Sequence, residues 1–155
     1  MAEPSDVTTD LRHDTVSASA VIPGSASAVF DYLRRPANHD AISGDETVRG
    51  VRTGPDVLGD GDSFGMKMKL FGVPYSVKSK VVEFRQDERI AWCHAGGHRW
   101  RWEIEPVDDT HCRVTETFDL TTSKLPAGLR LVGYPERHLD NVRQSVVNVA
   151  AQFAA

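Results

Sequence analysis

The chain is expected to form an α+β domain in which a curved antiparallel sheet wraps around a long C-terminal helix. One or two short helices should follow the first strand. Three observations point to this class. Short runs of alternating apolar residues, separated by turns, recur from Asp14 to Leu120. Trp92, Trp100 and Trp102 are all of the chain's tryptophans and flank a single Gly96-Gly97 turn. Leu139, Val142, Val146, Val149 and Phe153 then recur at helical spacing, as one apolar stripe.

In chain order, Val16, Ala18, Ala20 and Ile22 share one face of a first strand, which Pro23-Gly24 ends. Ser25 is the expected N-cap of a helix through Ala28, Val29, Tyr32 and Leu33, broken by Pro36. A short helical turn is expected around Ala37 to Ala41, and a strand near Thr47 to Arg52. The turn Gly59-Asp60-Gly61-Asp62 lacks the spacing of a phosphate loop and the ligand series of a calcium loop. From Ser63 onward Phe64, Met66, Met68 and Leu70 face one way, and Lys67 and Lys69 the other. After a turn at Gly72 to Pro74, Tyr75, Val77, Ser79 and Val81 oppose Lys78 and Lys80. The four lysines read as a solvated outer stripe, with contact to an acidic partner as the alternative. Further strands are expected at Arg89–His94, His98–Glu105 and Cys112–Leu120. A loop with Pro126 and Gly128 precedes the last helix, which Pro135 can open. Short turns between successive strands imply antiparallel pairing.

With 155 residues, residues 13–155 are expected to form one domain and residues 1–12 a polar, disordered tail. A net charge of −4 leaves no basic footprint for nucleic acid. No apolar run reaches the ~20 residues of a membrane span. The N-terminus lacks an apolar signal core, and Cys93 and Cys112 form no CxxC pair; reduced thiols in a cytoplasmic protein are expected. Cys93, His94, His98, His111 and Cys112 are near in sequence, but the strand from His98 to Pro106 holds the two groups more than ~20 Å apart. No metal and no cofactor is therefore expected, and the chain should be a monomer or a homodimer.

The segments Val29-Phe30-Asp31-Tyr32-Leu33, Arg89-Ile90-Ala91-Trp92, Gly97-His98-Arg99-Trp100-Arg101-Trp102-Glu103, Glu105-Pro106-Val107 and Arg113-Val114-Thr115-Glu116-Thr117-Phe118 give the chain its family likeness. With the element order, they resemble the START-like (SRPBCC) superfamily of helix-grip proteins, in particular small stand-alone actinobacterial members. Bacterial members are often described as polyketide cyclase/dehydrase or lipid-transport proteins. The resemblance spans about Asp14 to Phe153 and implies the helix-grip fold. The superfamily has no universal catalytic motif, so the resemblance assigns no catalytic residue.

Turn length sets the register around the tryptophans. A two-residue Gly96-Gly97 turn would point Trp92 outward, opposite Arg101. A three-residue Ala95-Gly96-Gly97 loop with left-handed Gly97 pairs His94 with His98, Trp92 with Trp100 and Ile90 with Trp102. The second is favoured because it keeps Trp92 on the apolar side, where it should stack on Trp100. The next hairpin then pairs Ile104 with Val114, Trp102 with Glu116 and Trp100 with Phe118. Glu116 is thereby aimed inward beside an indole. It either lies near the sheet edge and reaches water, or serves as a polar anchor or general acid in a pocket.

The expected cavity lining is Met66, Met68, Tyr75, Trp92, Trp100, Trp102, Glu116, Phe118, Val142 and Val146, with His94 and His98 at the rim. Glu116 is the one catalytic candidate. A small hydrophobic or amphipathic molecule (lipid, polyketide or aromatic metabolite) is the expected partner. A cyclase or dehydratase acting in the same cavity is the alternative. A protein-interaction module with a closed core is a further one.

Overall fold

The computed structural model describes residues 7–12, 14–43, 48–94, 96–123 and 134–154, with side chains of 134–137 excepted. Eight strands build one antiparallel sheet: β1 (Thr8–Leu11), β2 (Thr15–Pro23), β3 (Val48–Thr53), β4 (Ser63–Leu70), β5 (Val73–Arg85), β6 (Arg89–Cys93), β7 (Arg99–Pro106) and β8 (His111–Asp119). Their spatial order is β1-β2-β8-β7-β6-β5-β4-β3. Helix α1 (Ala26–Leu33), a 3₁₀ turn at Pro36–Asn38 and α2 (His39–Ile42) follow β2, and α3 (Tyr134–Phe153) ends the chain.

Local chemistry accounts for these elements. Alternation in β2 buries Val16, Ala18, Ala20 and Ile22 completely or nearly so. Ser25 caps α1, its hydroxyl accepting from the Ala28 N–H at 3.2 Å. Pro36 lacks the N–H that would continue that helix and opens the 3₁₀ turn instead. The buried side of α1 is Val29, Phe30 and Leu33.

Thr8–Leu11 corrects the expectation of a tail through residue 12. It pairs with Ser19–Val16 as an edge strand whose side chains are all exposed. Backbone pairing holds it, so no apolar pattern announces it. Residues 1–6 lie outside the described residues, as do Thr47 and the loop with Pro126 and Gly128.

The tryptophan hairpin adopts the three-residue register. Trp92 pairs with Trp100 and Ile90 with Trp102, and Gly97 has φ 84°. The β7–β8 register is also as expected, with Trp102 opposite Glu116 and Trp100 opposite Phe118. A bulge between Val81 and Glu83 shifts β5 by one residue. Glu83 therefore turns to the outer face while Phe84 packs edge-on against Phe30.

That bulge creates a polar cluster. Glu83 and Arg101 both pair with Ala91, one on each flank, and meet over its small side chain. Arg101 donates to Glu83 at 2.8 Å and to Asp119 at 3.1 Å, and Arg99 donates to Glu83 at 2.9 Å. The Arg101 and Arg99 guanidinium groups hold the Glu83 carboxyl down at about 2. These bonds tie β5, β7 and β8 together on the face opposite the core.

The dimensions of the sheet leave room for a cavity. Eight strands at ~4.8 Å spacing span ~34 Å, whereas a helix with its side chains is ~10–12 Å across. Helix α3 packs mainly on β2 and β8, and α1 on β7. Toward β3–β6 the concave face is not covered by α3.

Candidate functional site

A cavity of about 530 Å³ occupies this uncovered part of the concave face. Its sheet wall comes from β4 (Phe64, Met66, Met68, Leu70), β5 (Tyr75, Val77, Ser79) and the hairpin β6–β7 (Trp92, Trp100, Trp102). The alternation of β4 explains the first group: Met66 and Met68 point in while Lys67 and Lys69 point out. His39 and Ile42 of α2, with Val48 of β3, close one side. His138, Asn141 and Ser145 of α3 close another.

Of the expected lining, Met66, Met68, Tyr75, Trp92, Trp100, Trp102 and Glu116 do face the cavity, and so do His94 and His98. Phe118, Val142 and Val146 do not; all three are fully buried in the core. Phe118 is covered by the rings of His98, Trp100 and His138, with centroids at 5.2, 4.5 and 4.5 Å. Val142 and Val146 belong to the stripe of α3 that packs the core. The cavity sees the neighbouring stripe, His138, Asn141 and Ser145, at i, i+3 and i+7. That spacing was present in the sequence, but polar residues beside an apolar stripe read as a solvent face.

Trp92 stacks on His39 rather than on Trp100, at 4.7 Å and 22°, and meets Phe64 edge-on at 5.7 Å. Trp100 leans on Phe118 and meets the His138 ring edge-on at 4.9 Å. Trp92 is thus fixed by rings other than its cross-strand partner Trp100, whereas Trp100 rests on its β8 partner Phe118 and on His138. Trp102 lies deepest of the three, 2% exposed.

Glu116 is 5% exposed, and β8 runs between β2 and β7, so Glu116 is not at a sheet edge. It pairs with Ala18 on one side and Trp102 on the other. The small Ala18 leaves space for the carboxyl group on the inner face.

Burial lowers the imidazoles of His39, His94 and His98. His39 Nε2–H donates to the Leu33 carbonyl at 3.0 Å, an otherwise open acceptor at the end of α1, and burial pushes its imidazole down to about 4. His94 lies 2.7 Å from the Ser79 hydroxyl through Nδ1; burial first, and the nearby His98 second, push it to about 4. Burial also lowers His98. The Asn141 amide lies 3.1 Å from His138 Nδ1. These polar groups offer donors and acceptors along an otherwise apolar wall.

Cys93 and Cys112 are both free, and burial raises the Cys112 thiol to about 11, which leaves it inert. Among the described residues no group of three or more His, Cys, Asp or Glu side chains could hold a metal ion, and no helix is long and apolar enough to cross a membrane.

Similar proteins share this architecture. An uncharacterized protein of Mycobacterium tuberculosis is 35% identical over 149 residues, which cover 94% of this chain and 66% of that protein. The chain thus spans about two thirds of the length of the curated relatives it matches. A Rhodobacter sphaeroides protein superposes with a TM-score of 0.70 at 9% identity, covering 95% of this chain and 97% of that one. A START superfamily protein of Mycobacterium smegmatis gives 0.62 at 12%, covering 91% and 99%. The Zhui aromatase/cyclase of a Streptomyces species gives 0.64 at 14%, covering 94% and 98%. At these identities the structures show the fold alone. Residues 13–154 match the family described as polyketide cyclase/dehydrase and lipid transport, and the chain belongs to that START-like family.

Proposed function

We propose that the protein binds a small hydrophobic or amphipathic molecule in the cavity between sheet and helices. The observation that carries this reading is the cavity of about 530 Å³ walled by Met66, Met68, Trp92 and Trp100. That volume lies within the ~300–1,000 Å³ range of small-molecule pockets. The apolar body of the ligand leaves water against the methionines and indoles, and Met side chains adapt to its outline. Glu116, Tyr75, Ser79–His94, His98 and His138 orient its polar groups. Ligands of lipid, polyketide or aromatic-metabolite type suit such a wall. The free cysteines support a reducing compartment such as the cytoplasm, and the acidic net charge speaks against a nucleic-acid partner.

A second reading is cyclase or dehydratase chemistry on the same ligand. It is favoured by the presence of Glu116, His94, His98 and His138 along one cavity, where a carboxyl group and imidazoles could exchange protons with a bound poly-ketone.

Titration with a panel of lipids, polyphenols and poly-ketones tests binding, because Trp92 and Trp100 report on the cavity. A ligand should change tryptophan emission saturably and raise the melting temperature. Ser145→Trp, which fills the cavity from α3, should abolish both responses. A panel without any saturable response in the wild type contradicts the reading.

A further inference from the structure

The β4–β5 hairpin places an aromatic residue where both solvent and backbone disfavour it. Phe71 is 95% exposed, and Val73 and Leu70 beside it are 63% and 46% exposed. Phe71 has φ 49° and Gly72 φ 79°, the paired positive values of a type I′ turn. Asparagine or glycine fits the first of these positions; phenylalanine is held there with a backbone it disfavours. Folding does not require this arrangement, since the side chain packs on nothing in the core.

The outer face of the same hairpin is basic. Counting from the tip, the outward rungs are Lys69–Pro74, Lys67–Ser76, Gly65–Lys78 and Ser63–Lys80, one lysine on each. Arg52 of β3 joins them, donating to the Ser76 hydroxyl at 2.9 Å. Residues 48–53 and 63–82 contain six cations and no Asp or Glu, in a chain whose net charge is −4. Along the strand Lys69 stands ~7 Å and Lys67 ~14 Å from Phe71. The inward residues Met68, Leu70 and Tyr75 line the cavity. One hairpin therefore carries an exposed apolar tip, a ladder of lysines and part of the cavity wall.

We propose that this hairpin docks the protein on an anionic lipid bilayer, with Phe71 and Val73 in the interface and Lys69 and Lys67 at the lipid phosphates. The protein lies on the membrane rather than spanning it. An apolar tip needs a partner that is soft and apolar beneath a charged surface, and the unbroken positive charge requires that surface to be negative. Docking brings Leu70 and Tyr75 to the membrane, so the cavity edge they form faces the lipid. The surface proposal does not depend on what occupies the cavity.

Sedimentation with lipid vesicles tests it. The full chain should bind vesicles of mixed phosphatidylcholine and phosphatidylglycerol. Phosphatidylcholine alone should bind far less, and high salt should release the protein as the Debye length falls from ~10 Å at 0.1 M to ~3 Å at 1 M. Phe71→Asn should lower vesicle affinity by about tenfold through lost apolar contact. The same variant should melt at the same or a higher temperature, because asparagine suits the turn. Lys67→Glu with Lys69→Glu should lower affinity for the mixed vesicles by at least as much. No binding of the wild type to mixed vesicles at low salt would overturn the proposal. So would unchanged vesicle binding in Phe71→Asn, or a fall in its melting temperature that tracks the loss. Tighter binding to soluble polyglutamate than to vesicles, indifferent to Phe71, would also overturn it and assign the lysines to an acidic protein.

Discussion

Trp102→Ala is expected to destabilise the fold by about 3–5 kcal/mol, the range for truncating a buried tryptophan. The indole lies in a central strand, 2% exposed, between the rows occupied by Ile90 and Glu116. Its removal takes away ~150–250 Å² of buried aromatic surface, and the backbone around it cannot collapse because β6 and β8 hold β7 on both sides. One effect works the other way. The cavity and Glu116 adjoin the site, so water can enter the space and moderate the loss toward the lower end of that range. Trp92→Ala should cost less, because Trp92 is only partly buried and packs through His39 and Phe64. Urea denaturation of the two variants checks the order. A cost for Trp102→Ala below that of Trp92→Ala would contradict the placement of Trp102 as the deepest of the three.

Acid should destabilise the protein between pH 6.5 and about 4, and His39 should account for much of the loss. Its imidazole titrates at 6.5 when free and at about 4 when folded, chiefly through burial. Above 6.5 both states are neutral, and the contribution is fully present. As the pH falls below 6.5 the unfolded chain takes up a proton that the folded site refuses, and stability is lost until the folded group also titrates near 4. The full effect is on the order of 3 kcal/mol. His94 contributes in the same direction through the same range. His39→Phe keeps a ring against Trp92 but cannot titrate. It should be less stable than the wild type at neutral pH, since the buried Leu33 carbonyl loses its donor at a cost of about 1–3 kcal/mol. Its stability should then fall less steeply with acid. Parallel pH curves for the two proteins, measured by urea denaturation, would remove His39 from the acid response.

Both variants bear on what could be read from the sequence. The register of the tryptophan hairpin was legible because a three-residue loop with a left-handed glycine was the one choice that kept Trp92 inside. The inward turn of Glu116 followed from that register. The bulge at Val81–Glu83 was not legible, since one extra residue in a strand leaves the alternation intact on either side. Its product, the Glu83–Arg101–Asp119 cluster, went unseen with it. His39 was hidden for another reason. Its role depends on α2 folding back toward Trp92 and on the open carbonyl of Leu33, both tertiary facts. The stripe His138–Asn141–Ser145 had a clear period, but only the width of the sheet shows that this face of α3 meets a cavity instead of solvent.

Sheet width links these observations to function. One helix covers the β1, β2 and β8 side of the sheet, and the remaining strands keep an apolar concave face. Filling that space with side chains would give a closed core and an ordinary interaction module. The indoles instead stand along its wall, Trp92 and Trp100 each held by neighbouring rings, and leave a volume of about 530 Å³.

Native mass spectrometry of the protein purified from its own host measures the occupant of that volume. The account predicts a bound hydrophobic molecule, released on unfolding and missing from Ser145→Trp. Recovery of that molecule with its structure unchanged after incubation marks a carrier; ring closure at constant mass, or with loss of one water, marks the cyclase or dehydratase reading. A protein that carries nothing, and whose melting temperature no lipid or polyketide raises, would contradict ligand binding in this cavity.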